Sequence, residues 1–222
     1  MRVTVVGAGN VGRSIAKELI SNGHHVMLID KDPKAIKMDS VPQAQWLLAD
    51  ACEVVNLEEA QLNNSNVLVA ATGDDKVNLV VSLLAKTEYG VPRVVARVNH
   101  PKNEWMFNEA WGVDVAVSTP RMLSALVEEA VSVGDLVRLF TFNQGEANLV
   151  EITLPSSAPC VGKRVRDLAL PSDATLVSIL RDTRVITPSP DDTLEAGDEL
   201  LFVATAESEP ALQACLAPNH AD

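Results

Sequence analysis

The sequence is short of cysteine, of basic residues and of long apolar runs, and each shortage excludes a class of protein. Its three cysteines, Cys52, Cys160 and Cys215, are scattered and form no CxxC pair, so neither a disulfide framework nor a zinc site is indicated. The net charge of −12 argues against a nucleic-acid partner, because the phosphates would be repelled. The same charge disfavours docking on an anionic membrane surface.

Membrane-spanning and secretory segments are also missing. The longest apolar runs, such as 67–71 and 79–85, are far shorter than the roughly 20 residues that cross a bilayer. The chain begins with Met1-Arg2-Val3 and enters a strand pattern at once, unlike a signal peptide. We therefore expect a cytoplasmic protein that does not insert into the membrane. The hydrophobic fraction of 47% suits a packed core.

The first half of the chain alternates short apolar strands with amphipathic helices. Strands are predicted at 3–6, 26–29, 46–49, 67–71, 93–98 and 113–117, and helices at 10–22, 53–60, 76–88, 103–111 and 120–133. Near-continuous apolar strands separated by helices predict an α/β fold with a parallel sheet covered on both faces. Because such crossovers are right-handed, a doubly wound Rossmann-type sheet is the economical topology.

The pattern changes after residue 134. Alternating segments at 136–142 and 149–154 flank the turn signal Asn143-Gln144-Gly145-Glu146, which predicts a hairpin. Further predicted elements are strands at 176–181, 184–187 and 199–204 and helices at 161–168 and 207–216. The sequence thus predicts a Rossmann-type domain over 1–134 and a small α+β domain over 135–222.

A glycine-rich motif follows the first predicted strand. Gly7-Ala8-Gly9-Asn10-Val11-Gly12 fits G-x-G-x-x-G between a strand and a helix, and Asp30 ends the second strand 18 residues after Gly12. In this arrangement the glycines let the backbone approach a pyrophosphate, and the acid binds a ribose. The helix start adds free N–H groups and a positive dipole end. The alternative is a structural glycine turn that binds nothing.

Asp30 also bears on which nucleotide is bound. An acid at this position disfavours a 2′-phosphate, so NAD(H) or a plain adenine nucleotide is expected rather than NADP. Lys31 follows immediately and would soften that preference, unless it is simply solvated.

Further candidates lie where other strands end, since ligands of open α/β sheets collect there. They are Asp50, Cys52 and Glu53 after the third strand, Thr72, Gly73, Asp74, Asp75 and Asn78 after the fourth, and Arg97 at the end of the fifth. Helix capping is the alternative for the three aspartates. Pairing with Asp74 or Asp50 is the alternative for Arg97.

With these positions located, the chain resembles the cytoplasmic regulatory subunits of bacterial Trk/Ktr-type potassium uptake systems, which carry a regulator-of-potassium-conductance (RCK) domain. The similar segments are GAGNVGRSIAKEL, HVMLID, ATGDDKVNLVVSLLAK, ARVNHP, CVGKRVRDLALP, LVSILRD and LEAGDELLFV. They span nearly the whole chain. The combination of GDD-x-x-N with the two C-terminal glycine-containing elements gives the resemblance its specificity.

The resemblance implies a peripheral subunit on the inner face of the cell membrane, assembled as a ring beneath a potassium-transporting partner. It implies that NAD(H), ATP or ADP changes the shape of the ring and so the gating. Carried over to this sequence, the dinucleotide site comprises 7–11, Asp30, Thr72, Gly73 and Arg97, with Asp50, Cys52 and Glu53 on the adenine side. Several Ktr-type relatives have an arginine at the position of Asn10. Arg13, three residues on, is expected to point along another helix face.

Two other function classes stay open. A small NAD-dependent oxidoreductase needs a proton donor at the nicotinamide. The histidines His24, His25, His100 and His220 join no catalytic constellation, and Tyr89 has Arg93 rather than lysine four residues later, so we expect no enzyme. The third class is an assembly protein with a vestigial nucleotide site.

Self-association and a second ligand are also expected. Large apolar side chains that favour subunit interfaces crowd two neighbouring segments: Trp105, Met106, Phe107 and Trp111, then Met122, Leu123, Leu126 and Val127. They predict at least a dimer, with core packing as the alternative.

In the C-terminal domain, apolar residues Val177, Ile179, Val185 and Ile186 accompany Arg181, Arg184 and Pro188. The resemblance suggests cyclic di-AMP there, and the alternative is a domain core or a ligand-free dimer seam.

Overall fold

The computed structural model describes residues 1–131, 133–142 and 147–216. The turn predicted at 143–146 and His220 lie outside the described residues. Two compact units are found, Met1–Pro120 and Arg121–Asp222. The sequence placed its domain boundary later, after residue 134. The difference arises because most of the intervening helix groups with the second unit.

The first unit alternates strands and helices as predicted. The strands are β1 (Arg2–Val6), β2 (His25–Asp30), β3 (Gln45–Leu48), β4 (Val67–Ala70), β5 (Arg93–Val98) and β6 (Val115–Ser118). The helices are α1 (Asn10–Ser21), α2 (Val54–Glu59) and α3 (Asp75–Thr87). The strands form one parallel sheet in the order β3-β2-β1-β4-β5-β6. This order confirms the doubly wound Rossmann-type sheet.

Apolar side chains cover both faces of this sheet. One cluster joins Leu57 and Val81 of the helices to the strand residues Leu68 and Val94. The other includes Ala16 of α1. The register pairs Val6 with both Ile29 and Ala70, so β2, β1 and β4 end at the same level. The loops that follow these strands therefore meet at one edge of the sheet.

The segment between β5 and β6 differs from its prediction. Instead of one helix over 103–111, the chain forms two 3-10 segments, Pro101–Met106 and Glu109–Trp111. The second starts afresh because the Asn108 side chain accepts a hydrogen bond from the N–H of Ala110 at 3.0 Å. Capping of this kind competes with continuation of a helix.

The second unit contains an antiparallel sheet. Helix α4 (Thr119–Val131) leads into it, and its strands are β7 (Val137–Thr141), β8 (Ala147–Thr153), β9 (Ala174–Arg181), β10 (Arg184–Ile186) and β11 (Glu199–Thr205), followed by helix α5 (Glu209–Leu216). The sheet order is β10-β9-β11-β8-β7. Ile152, Ile179, Leu200, Phe202 and Leu212 are fully buried in its core. The small α+β domain predicted from the sequence is thus confirmed.

The helix predicted over 161–168 is wrong. Only Val165–Asp167 forms a single 3-10 turn. The N–H groups of Gly162, Val165 and Arg166 donate instead to the carbonyls of Leu194, Asp192 and Pro190. Carbonyls 24 to 32 residues away in the chain therefore replace the local helical hydrogen-bond partners.

Each helix in the described part of the chain is too short or too polar to span a bilayer.

Candidate nucleotide site

A cavity of about 540 Å³ opens at the carboxyl end of the parallel sheet. Eleven of the site residues predicted from the sequence line it: Gly7, Gly9, Asn10, Val11, Asp30, Lys31, Asp50, Thr72, Gly73, Asp74 and Arg97. Six other candidates do not line it: Ala8, Gly12, Cys52, Glu53, Asp75 and Asn78. The structure therefore brings together residues from five strand ends that are far apart in sequence.

Sequence reasoning missed the apolar part of this lining. It consists of Val6, Ile29, Ala49, Ala51, Ala71 and Val77. Most of these residues lie at or just beyond strand ends, so the rule that ligands collect there was the signal that could have found them. They make part of the cavity lining apolar, as is usual for small-molecule sites.

The glycine turn is shaped by close packing. Gly7 has φ +103°, and a Cβ on it would lie 2.8 Å from the backbone nitrogen of Thr72. A Cβ on Gly12 would lie 1.8 Å from the Gly7 carbonyl oxygen. Gly9 has open space where its Cβ would be, and no side chain caps the start of α1. Two glycines thus close the turn, and the third leaves a free approach to an uncapped helix start.

Asp30 is held rigidly at the rim. Its Oδ2 accepts a hydrogen bond from the N–H of Ala8 at 2.7 Å, and its Oδ1 accepts one from the N–H of Asp32 at 2.9 Å. Ala8, which is buried, therefore contributes by fixing Asp30 from behind. Each carboxylate oxygen keeps a further lone pair for another donor.

Lys31 forms a solvent-exposed ion pair with Asp50. The Lys31 ammonium lies 3.2 Å from Oδ2 of Asp50, and the N–H of Cys52 donates to Asp50 Oδ1 at 3.0 Å. The Cys52 hydrogen bond, and then Lys31, lower the pKa of Asp50 against the effect of its burial. The hydrogen bond to Asp50 raises the pKa of Lys31. Burial raises the pKa of the Cys52 thiol, which stays neutral beside the cavity.

The loop after β4 and the end of β5 complete the rim. Asp74 caps α3, since its side chain accepts a hydrogen bond from the N–H of Lys76 at 2.9 Å. Among the residues that the structure describes, the Arg97 guanidinium has no hydrogen-bond or ion-pair partner, and its Nε is buried. The alternative pairing of Arg97 with Asp74 or Asp50 is not formed. An unpaired cation therefore borders the cavity.

The expectation for Arg13 is wrong. Its Nη2 donates to Asn10 Oδ1 at 2.7 Å, and its Nη1 donates to the carbonyl oxygen of Ala8. Residues three apart share a helix face, so Arg13 folds back onto the glycine turn. There it fixes the side chain of Asn10 at the cavity.

The Arg181 side chain in the second unit is bonded to other groups of the same unit. Its Nε and Nη2 donate to the two carboxylate oxygens of Asp198 at 2.7 and 2.9 Å, and Nη2 also donates to the carbonyl of Thr193 at 2.8 Å. Glu195 pairs with Nη1. This guanidinium therefore has no donor pair left for an anionic ligand. Ile179, from the same predicted surface, is a core residue.

Comparison with known proteins gives matches along most of the chain. Residues 3–119 match the TrkA-N domain, and residues 149–216 match the TrkA-C domain. Over 219 residues the chain is 61% identical to the Trk system potassium uptake protein TrkA of Mycobacterium tuberculosis (strain ATCC 25618 / H37Rv). The match covers 99% of this chain and 100% of that protein. A TrkA homolog of Methanothermobacter thermautotrophicus is 32% identical over 213 residues, with 94% and 95% covered.

A solved structure shares the fold. The GsuK channel bound to NAD superposes with a TM-score of 0.70 at 16% identity, over 98% of this chain and 40% of the channel chain. At this identity the likeness shows the fold alone.

Proposed function

This chain belongs to the family of Trk-system potassium uptake proteins, and on that premise we propose that its first unit binds an adenine nucleotide and so regulates a membrane potassium transporter. The observation that carries the proposal is the cavity between Asp30 and Arg97. A fixed carboxylate lies on one side of an uncapped glycine turn, and an unpaired guanidinium lies on the other. In a protein of net charge −12, a cation left without a partner favours an anionic ligand.

The polar groups fit NAD(H), ATP or ADP. Asp30 would accept hydrogen bonds from ribose hydroxyls, and the start of α1 beside Gly9 would receive phosphate. Beside Asp30, Lys31 would have to exchange its exposed ion pair with Asp50 to meet a 2′-phosphate. This favours NAD(H) over NADP(H).

We propose a regulatory subunit rather than an enzyme. The titratable residues that line the cavity are three aspartates, one lysine and one arginine. Among the residues that the structure describes, the lining includes no histidine, cysteine or tyrosine to transfer a proton near neutral pH. An oxidoreductase would need such a group beside the nicotinamide.

Assembly is proposed to run through α4. Its large apolar residues are exposed and fall on one helical face: Met122, Leu123, Leu126 and Val127. Exposed apolar patches of this kind mark interaction surfaces. We propose a dimer through this face, arranged further into a ring. The ring would lie in the cytoplasm against the inner face of the membrane, held there by the transporter.

A second ligand at the C-terminal unit would have to use other residues than first predicted. Arg184 and Val185 are exposed on the edge strand β10, whereas the Arg181 guanidinium is hydrogen-bonded to Asp198. Cyclic di-AMP is retained as a proposed ligand on this basis, with Arg184 as its cationic contact.

Isothermal titration calorimetry tests the central proposal. NADH, ATP and ADP are titrated into the wild-type chain, into Asp30→Ala and into Asp39→Ala. Asp39 is an exposed aspartate that does not line the cavity, so its variant is charge-matched. We expect binding to the wild type and to Asp39→Ala, and strong loss in Asp30→Ala. Absence of binding of any adenine nucleotide at millimolar concentration would refute the proposal.

A further inference from the structure

Asn78 lies behind the cavity wall and joins two strand ends. The residue is fully buried and does not line the cavity. Its Oδ1 accepts hydrogen bonds from the N–H and the hydroxyl of Thr72, at 3.0 and 2.6 Å. Its Nδ2 donates to the carbonyl of Thr72 at 3.2 Å and to the carbonyl of Arg97 at 2.9 Å. One amide therefore fixes the ends of β4 and β5 to each other.

Asp75 holds the chain just beyond Arg97. Its Oδ1 accepts a hydrogen bond from the N–H of Asn99 at 2.7 Å, and its Oδ2 accepts one from the N–H of His100 at 3.0 Å. The side chain of Asn99 also donates to the carbonyl of Thr72 at 3.0 Å. Because Asp75 is itself buried, these contacts are shielded from water. The backbone around Arg97 is thus anchored on both sides.

The strand order fixes the distances between the polar groups across the cavity. Asp30 is the last residue of β2, the glycine turn follows β1, Thr72 follows β4, and Arg97 lies near the end of β5. These four strands are neighbours in that order. With strands about 4.8 Å apart, the Asp30 and Arg97 backbones are separated by roughly 14 Å, and the turn lies roughly 10 Å from Arg97. A nucleotide with its ribose at Asp30 and its first phosphate at the turn must continue further to meet this guanidinium.

We propose that Asn78 is a positioning residue for Arg97, and that together they make the site select nucleotides with a second phosphate over nucleoside monophosphates. The inference rests on the proposed nucleotide binding. In the described part of the chain no other group bonds to the guanidinium, so the backbone that Asn78 holds sets its position. A second phosphate, present in ADP and in NAD(H), is the charge that Arg97 would meet.

The test compares ADP with AMP on the full chain. Dissociation constants are measured for the wild type, Arg97→Ala, Asn78→Asp and Arg93→Ala. A charge-assisted contact to the second phosphate is expected to make ADP about tenfold tighter than AMP in the wild type. Arg97→Ala should abolish that ratio. Asn78→Asp keeps the size of the side chain and loses the donor to Arg97, so it should bring the ratio close to one. Arg93, exposed at the other end of β5, is the charge-matched control and should keep the ratio.

A double-mutant cycle separates positioning from a structural role. If Asn78 acts through Arg97, Asn78→Asp changes the ADP/AMP ratio no further in the Arg97→Ala background. A purely structural role would weaken both nucleotides together and leave the ratio unchanged, which overturns the inference. Should Asn78→Asp fail to fold by circular dichroism, Asp75→Asn takes its place and should lower the ratio as well. A wild type that binds NADH but neither ADP nor AMP overturns this inference alone, and one that binds no adenine nucleotide overturns the proposed function as well.

Discussion

Replacing Arg181 by methionine tests the role that the structure gives to this residue. Asp198 is fully buried, and the Arg181 guanidinium meets both of its carboxylate oxygens at 2.7 and 2.9 Å. Methionine keeps much of the apolar stem and leaves a buried carboxylate without its counterion. Breaking one partner of such a pair typically costs about 3–5 kcal/mol.

The consequence is a large loss of stability confined to the second unit. For a domain near 100 residues, 1 kcal/mol shifts the melting temperature by about 4–8 °C, so we expect a fall of more than about 10 °C in the transition of this unit. Scanning calorimetry on the full chain measures it, and limited proteolysis locates it. Arg184→Met, on the exposed neighbouring strand, is the matched control and should shift the melting temperature little.

Two outcomes would refute this reasoning. The first is an Arg181→Met melting temperature within about 2 °C of the control, which would mean a contribution well under 1 kcal/mol. The second is a double variant, Arg181→Met with Asp198→Asn, that is no more stable than Arg181→Met alone. Asparagine should recover stability, since it removes the unpaired buried charge and keeps an oxygen that can accept the hydrogen bond from the N–H of Glu195.

Three further predictions concern the glycine turn, the Asp75 anchor and assembly. Gly12→Ala should strongly lower the free energy of unfolding of the first unit in chemical denaturation, because its Cβ would lie 1.8 Å from a carbonyl oxygen. Gly9→Ala should stay folded and lose nucleotide binding in calorimetry. A Gly12→Ala variant as stable as the wild type would contradict this prediction. Burial raises the pKa of Asp75, but its hydrogen bonds outweigh it and lower the pKa below 3.8. Its stabilising contribution is therefore present above pH 3.8 and lost as the pH falls through the lower folded-state value. Urea titrations should therefore show the largest difference in unfolding free energy between the wild type and Asp75→Asn at neutral pH. A difference that grows in acid would contradict this prediction. Leu123→Asp should lower the mass measured by light scattering, whereas Ser124→Asp, the control on the same helix, should not; an unchanged mass in Leu123→Asp would exclude α4 as the interface.

The order of elements in the first unit and the glycine turn could be predicted from the sequence. Short apolar strands, helical spacing and G-x-G-x-x-G are local patterns, and the chirality of crossovers limits how they assemble. The clustering of the candidate residues followed from the same patterns, because parallel strands bring their carboxyl ends to one edge. Eleven predicted residues consequently line one cavity.

Side-chain partners were decided only by the tertiary structure. Arg97 and Arg181 look alike in sequence, each at or near the end of a strand, yet one guanidinium has no partner in the described chain and the other meets a buried carboxylate. Asn78 was a candidate site residue from its place after the fourth strand, but only the structure shows that it lies behind the cavity and joins Thr72 to the carbonyl of Arg97. The segment 161–168 has a helical pattern but pairs with 190–194. In each case the outcome depends on a group distant in the chain, and the free energy of burying a charge or an N–H depends on whether that group is there to pair with it.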